Sequence, residues 1–148
     1  MTSLFEVLPY LVPYKPALLA FAILCLTVPL QGFLSAPLSF AGNEQVPGMP
    51  LKGDHSNLSF RALRTYANAT ENLPGFGFAL LLAIVAGASA GLVNWLAVIH
   101  VGFRLTFWAV YYSGIGKPAG GPRTLVYVGA LLSNIALAAT SVIAMVSA

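Results

Sequence analysis

Long runs without a charged side chain constrain the fold of this sequence more than any other feature. Residues 16–43, 72–103, 105–116 and 124–148 contain no Asp, Glu, Lys or Arg. A membrane-spanning helix needs about 20 apolar residues. The chain is 58% hydrophobic and 7% charged with one cysteine, against about 25% charged residues in a typical soluble domain. The sequence therefore predicts an integral membrane protein and excludes a soluble monomer, a disordered chain and a disulfide scaffold.

The apolar runs predict four membrane-spanning helices within one domain, residues 1–148. Residues 72–116 are too many for one helix, and the small residues between Gly87 and Gly91 divide them into two. Helices are expected because lipid offers backbone groups no water, and the alternation of a membrane β-barrel is absent. The predicted fold class is thus all-α, a four-helix transmembrane bundle. The predicted spans cover about residues 13–35, 57–87, 91–113 and 122–146.

The positions of Lys and Arg predict the orientation of these helices. Basic residues accumulate in cytoplasmic loops, and here they lie in the first connection, at the start of the second span and around the third connection. The first and third connections are therefore expected in the cytoplasm, and both termini on the opposite side. The first connection is long for a compact bundle, and two interpretations stay open: a loop without a role, or a flap over a site. His55, within it, is expected to be solvated.

The second span carries polar side chains at helical spacing. On a helix of about 3.6 residues per turn, residues three, four and three apart form one stripe. The stripe comprises Arg61, Arg64, Asn68 and Glu71. Arginines bind carboxylates through paired hydrogen bonds, a lone Glu suits an ammonium group, and Asn suits an amide. A small zwitterionic peptide such as glutathione matches this set, although an anionic lipid headgroup would also meet the arginines.

The third span adds Arg104, which shares a helix face with Phe107 and Tyr111. A charged residue inside a span is a candidate functional site by default. The alternative is an interhelical ion pair that joins Glu71 to Arg64 or Arg104. Two arginines, an amide and a carboxylate exceed what one such pair needs, so the stripe favours a ligand site.

The stripe resembles the signature of the MAPEG family, the membrane-associated proteins in eicosanoid and glutathione metabolism. It reads Arg-x-x-Arg-Thr-x-x-Asn-x-x-Glu-x-x-Pro-x-Phe and ends at Pro74 and Phe76. The segment from Gly116 to Arg123 resembles the Gly-Lys-Pro…Arg-Thr stretch of bacterial members. The resemblance extends from about Phe60 to the end of the chain, and it implies a bacterial-type member.

This resemblance implies a homotrimer of four-helix bundles, with glutathione as co-substrate bound between subunits near the cytoplasmic face. Arg123 is implied as the catalytic residue that stabilises the thiolate, since the thiolate is the nucleophile and a nearby cation favours it. No metal site is expected. The substrate-binding residues implied for glutathione are Arg61, Arg64, Asn68, Glu71, Arg104 and Tyr111.

Two functions remain open. One is a glutathione-dependent transferase or peroxidase acting on lipophilic electrophiles. The other is a catalytically inactive trimer that binds lipid or partner proteins, because Phe107 stands where glutathione-using members often have Tyr and Asn72 where some have Tyr. A small transporter is disfavoured because the core of the first span has no acidic residue. The expected partners are further copies of the chain, membrane lipids and a hydrophobic substrate, without nucleic acid, and the expected location is a bacterial inner membrane.

Overall fold

The computed structural model describes residues 3–41, 53–117 and 119–147. These residues form helices and no β-strand, which confirms the predicted all-α class. The helices are α1 (Leu4–Val7), a 3₁₀ segment (Pro9–Tyr14), α2 (Lys15–Ala41), α3 (Leu58–Val85), α4 (Ala90–Ser113) and α5 (Pro122–Ser147). Three stretches of the described residues are long and apolar enough to cross a membrane: Pro9–Ala41, Ala90–Ser113 and Pro122–Ser147.

The first long helix runs further than predicted. α2 ends at Ala41, beyond the expected boundary at residue 35, and it contains Pro29 and Pro37. Each proline lacks an N–H, so one backbone carbonyl in the preceding turn loses its partner, but a helix packed among others accommodates this loss. Most of the long first connection, with Lys52, lies outside the described residues.

α3 is less apolar than the other long helices because its first half carries the polar stripe. It is absent from the three stretches that are apolar enough to span a membrane, so the fourth span remains a prediction. Its start is fixed by Asn57, whose side chain accepts a hydrogen bond of 2.8 Å from the backbone N–H of Ser59. This N-cap satisfies one of the four free N–H groups at a helix start.

The four long helices pack around a core of buried apolar side chains. Phe76, Leu80, Val93 and Leu137 belong to it, and they come from α3, α4 and α5. Close approach is allowed by small residues: a Cβ built on Gly129 of α5 would lie 2.6 Å from the ring of Phe103 on α4. The helices therefore meet at fixed positions along their length.

Polar contacts tie the N-terminal segment to the α3–α4 turn. The hydroxyl of Tyr14 donates to the carbonyl of Ala88 at 2.5 Å. The side chain of Asn94 donates to the carbonyl of Pro13 at 2.8 Å and accepts from the N–H of Ala17 at 3.1 Å. These bonds close one end of the bundle. The start of α3, the end of α4 and the start of α5 meet at the other end, where most of the polar residues lie.

Candidate functional site

Arg104 is a buried cation between two helices. Its side chain is 7% exposed, and its Nη1 donates to the Oδ1 of Asn68 on α3 at 2.8 Å. The guanidinium carbon lies 5.2 Å from the centroid of the Phe107 ring, one turn further along α4. The amide and the ring offset part of the cost of burying the charge, but neither supplies the negative charge that a buried cation normally requires.

No carboxylate of the described residues forms an ion pair with Arg104. Asp54 accepts hydrogen bonds from the N–H and hydroxyl of Ser56, Glu6 accepts from the N–H of Ser3, and Glu71 is exposed on α3. The ion pair considered as an alternative, Glu71 with an arginine, is therefore not formed within this part of the chain. Arg104 can therefore pair with an anion that does not belong to the described residues, such as a bound ligand.

Aromatic rings connect Arg104 to Arg123. The ring of Phe107 lies 5.2 Å from that of Tyr111 on α4 and 6.1 Å from that of Tyr127 on α5. The guanidinium carbon of Arg123, at the start of α5, lies 4.7 Å from the centroid of the Tyr111 ring. Such cation–π contacts hold a guanidinium in place while its N–H groups stay free to donate. The structure thus aligns two arginines along one row of side chains.

A cavity opens beside this row, at the end of the bundle. It encloses about 210 Å³, and its lining includes Arg61, Tyr111 and Arg123 together with backbone near Gly114. His55 also lines it, with its Nδ1 3.4 Å from the Tyr111 hydroxyl and its ring 5.6 Å from the Tyr111 ring. The cavity therefore combines two guanidinium groups, a phenol and an imidazole.

His55 corrects an expectation from the sequence, which placed it in solvent. It is half-buried against Tyr111 and against the ring of Phe60, 5.0 Å away. Desolvation lowers the pKa of this imidazole below 6.5, and the charge of Arg123 lowers it further. His55 is therefore neutral at pH 7. Its place in the loop offered no periodicity, and 56 residues separate it from Tyr111, so sequence reasoning missed it.

The Arg61 guanidinium donates hydrogen bonds to three backbone carbonyls. Its Nη1 donates to the carbonyls of His55 and Ser56, both at 2.8 Å, and its Nε donates to the carbonyl of Tyr112 at 3.4 Å. Gly114 allows this arrangement, since its φ is +70° and a Cβ there would lie 3.1 Å from the Arg61 guanidinium carbon. Arg61 thus fastens the segment before α3 to the end of α4 and forms one wall of the cavity.

Arg64 and Glu71 lie outside the lining of the cavity, although the charge of Arg64 contributes to the lowered pKa of His55. Both are exposed on α3, and within the described residues neither forms a hydrogen bond or an ion pair. The structure therefore brings together five of the seven predicted site residues and leaves these two on the outer surface of α3. The five are Arg61, Asn68, Arg104, Tyr111 and Arg123.

Comparison with known families identifies the fold. The MAPEG family model matches residues 16–143, which is most of the 148-residue chain, and a search of curated proteins found no match. The match covers nearly all of the four long helices and every predicted site residue, while the bacterial-type subclass stays a prediction. With its three long apolar helices, the chain is a multi-pass membrane protein that belongs to the MAPEG family.

Proposed function

We propose that this protein is a glutathione-dependent transferase or peroxidase that acts on lipophilic electrophiles at the membrane. The observation that carries the proposal is Arg104, a buried guanidinium oriented by Asn68 and Phe107, with no carboxylate partner in the described chain. A buried cation of this kind favours an anionic ligand. Glutathione supplies carboxylates, and MAPEG proteins generally use it, so family membership supports the same choice.

The proposed glutathione site lies between subunits of a homotrimer. Arg104 and Asn68 would hold one carboxylate at the inner wall. Arg64 and Glu71 are exposed on the outer face of α3, where they would contact a glutathione molecule bound to the neighbouring subunit. Arg64 would bind a carboxylate of that molecule, and Glu71 would bind its ammonium group. This division explains why one chain alone leaves two residues of the polar stripe without partners.

The thiol would lie at the cavity of about 210 Å³ lined by Tyr111 and Arg123. A neighbouring guanidinium lowers the pKa of a thiol and so raises the fraction of nucleophilic thiolate at neutral pH. In the transferase reaction the thiolate sulfur forms a bond to an electrophilic carbon as the leaving group departs. In the peroxidase reaction it attacks a peroxide oxygen, the O–O bond breaks and the alcohol leaves after taking up a proton. A second glutathione then reduces the resulting glutathione sulfenic acid, which gives glutathione disulfide and water. Arg61 would support this end of the site as the wall that holds His55.

The membrane supplies the second substrate. Large apolar side chains are exposed along the helices, among them Phe33, Phe78 and Trp95 at 76%, 67% and 69%, and lipid or neighbouring subunits would cover them. A lipophilic electrophile dissolved in the bilayer would reach the site along such a surface. The predicted orientation supports this, because it places the first and third connections, and hence the cavity, on the glutathione-rich cytoplasmic side of a bacterial inner membrane.

A second candidate is an inactive trimer that binds anionic lipid or a partner protein. Two observations favour it: Phe107 provides no hydroxyl beside Arg104, and the Nη1 of Arg61 is already bonded to two backbone carbonyls. A lipid phosphate would also pair with Arg104 and Arg123. This candidate keeps the fold and the anion site but lacks a thiol reaction.

Thermal stability of the purified protein in detergent tests both candidates. Millimolar glutathione should raise the Tm of the wild type, because a ligand that binds only the folded state stabilises it. S-methylglutathione should raise the Tm as well, since it keeps both carboxylates. A conjugation assay with an aryl halide then separates the candidates, since turnover supports the enzyme and binding without turnover supports the inactive trimer. No stabilisation by glutathione would exclude the enzyme.

A further inference from the structure

A second, much smaller cavity lies between α2, α3 and α4. It encloses about 10 Å³, close to the space that a single water molecule requires. Its polar lining comes from three helices: Thr27 and Gln31 from α2, Asn72 from α3, and His100 and Arg104 from α4. Its apolar lining includes Leu24 and Val28 of α2.

Gln31 presents an unpaired acceptor to this cavity. The side chain is 5% exposed, and its Oε1 has no hydrogen-bond partner among the described residues. In a helix surrounded by lipid and protein, bulk water cannot satisfy such an atom, and a buried polar atom without a partner is costly. Native structures usually satisfy such atoms with protein or with ordered water.

The other polar groups of the lining define what would fit. A guanidinium has five N–H donors, and in the described part of the chain the only hydrogen bond from Arg104 goes to Asn68. The Nδ1 of His100 lies 2.9 Å from the carbonyl of Ala130. Since a carbonyl only accepts, Nδ1 carries the proton, and the Nε2 of the neutral ring is an acceptor. The lining therefore offers donors and acceptors together.

The charge, the hydrogen-bonding groups and the volume of this cavity determine which ligand fits it. A metal cation is disfavoured because the charge of Arg104 repels it. A water molecule both donates and accepts, fits the volume and makes about three hydrogen bonds in typical buried sites.

We propose that this cavity is a binding site for one water molecule, which accepts a hydrogen bond from Arg104 and donates one to the Oε1 of Gln31. The water would join α2 to α4 and donate to the Oε1 of Gln31, which has no hydrogen-bond partner among the described residues. The site belongs to a single subunit and stands whether or not the protein binds glutathione.

The Gln31→Met variant tests the proposal, because methionine has a similar length and no oxygen. If a water bridges Gln31 and Arg104, the variant loses a hydrogen bond and its Tm falls by about 2–4 °C. If no water binds the Oε1 of Gln31, the variant removes a buried acceptor that has no partner, and the Tm stays unchanged or rises. That result would overturn the proposal. Leu24→Met is the matched control, since it places methionine on the same cavity wall without removing a polar atom, and its Tm should change less.

A high-resolution structure of the full-length protein in a lipid environment provides the second measurement, which also serves if Gln31→Met does not fold. At about 2 Å or better, we expect a density peak within hydrogen-bonding distance of the Gln31 side chain and of a second polar group in the lining. The peak should be present with and without glutathione. A cavity without this peak, at a resolution where other buried waters are visible, would overturn the proposal.

Discussion

Replacement of Arg104 by glutamine should move ligand binding and stability in opposite directions. In the ligand-free protein this guanidinium is 7% exposed and has Asn68 but no carboxylate as a partner. A buried charge without a counter-ion carries a desolvation cost, and a neutral polar residue in its place removes that cost. Glutamine also keeps an N–H donor for Asn68. We therefore expect the Tm without ligand to fall by no more than about 4 °C, the loss expected for one hydrogen bond, or to rise.

Glutathione affinity should fall steeply in the same variant. Loss of one partner from a buried, hydrogen-bonded charge pair costs about 2–4 kcal/mol, or roughly 30- to 1000-fold in Kd. The assay is a titration of Tm against glutathione, because the shift depends on the ratio of ligand concentration to Kd. Lys15→Gln is the control: it removes a cation at the far end of the bundle, where Lys15 lies 4.7 Å from the Phe5 ring, and should leave the titration unchanged.

Two results would refute this reasoning about Arg104. One is a glutathione titration of Arg104→Gln that matches the wild-type titration, which would mean that Arg104 does not bind the glutathione carboxylate. The other is a large fall in Tm without ligand, which would mean that Arg104 already has a counter-ion in the assembled protein.

Three further predictions follow from the same geometry. Arg123→Gln should raise the thiol pKa of bound glutathione, so its pH–rate profile should move upward by about one unit, whereas Arg123→Lys should move it less. Gly129→Ala should lower the Tm, because its Cβ would lie 2.6 Å from the Phe103 ring, while Gly102→Ala, with no atom within 4 Å, should not. His55 binds its proton less readily when folded, so stability should decline as the pH falls below about 6.5, and His55→Phe should reduce this decline, as measured by Tm against pH.

The helices could be predicted from the sequence because lipid imposes simple rules on them. Runs without charge locate α2, α4 and α5, and the Gly87–Gly91 segment marks the turn before α4. The end of α2 could not be predicted in the same way. Pro37 is a helix-ending signal in water, but α2 continues past it to Ala41, because a proline inside a helix can remove one backbone hydrogen bond and bend the helix without ending it.

The candidate site could be predicted only at the level of a helix face. Spacing placed the polar stripe on one side of α3, but it could not show that Asn68 turns inward to Arg104 while Arg64 and Glu71 point outward. That choice depends on where α4 packs. Arg61 shows the same limit, since its partners are backbone carbonyls whose positions only the folded chain defines.

The ionisation state of bound glutathione tests the central claim most directly. The thiolate absorbs in the ultraviolet where the thiol does not, so difference spectroscopy of the purified protein with saturating glutathione measures the fraction ionised. We predict a thiolate signal near pH 7 that is absent with S-methylglutathione and reduced in Arg123→Gln. Saturating binding without any thiolate signal near pH 7 would contradict this prediction and would leave the inactive, anion-binding trimer as the function.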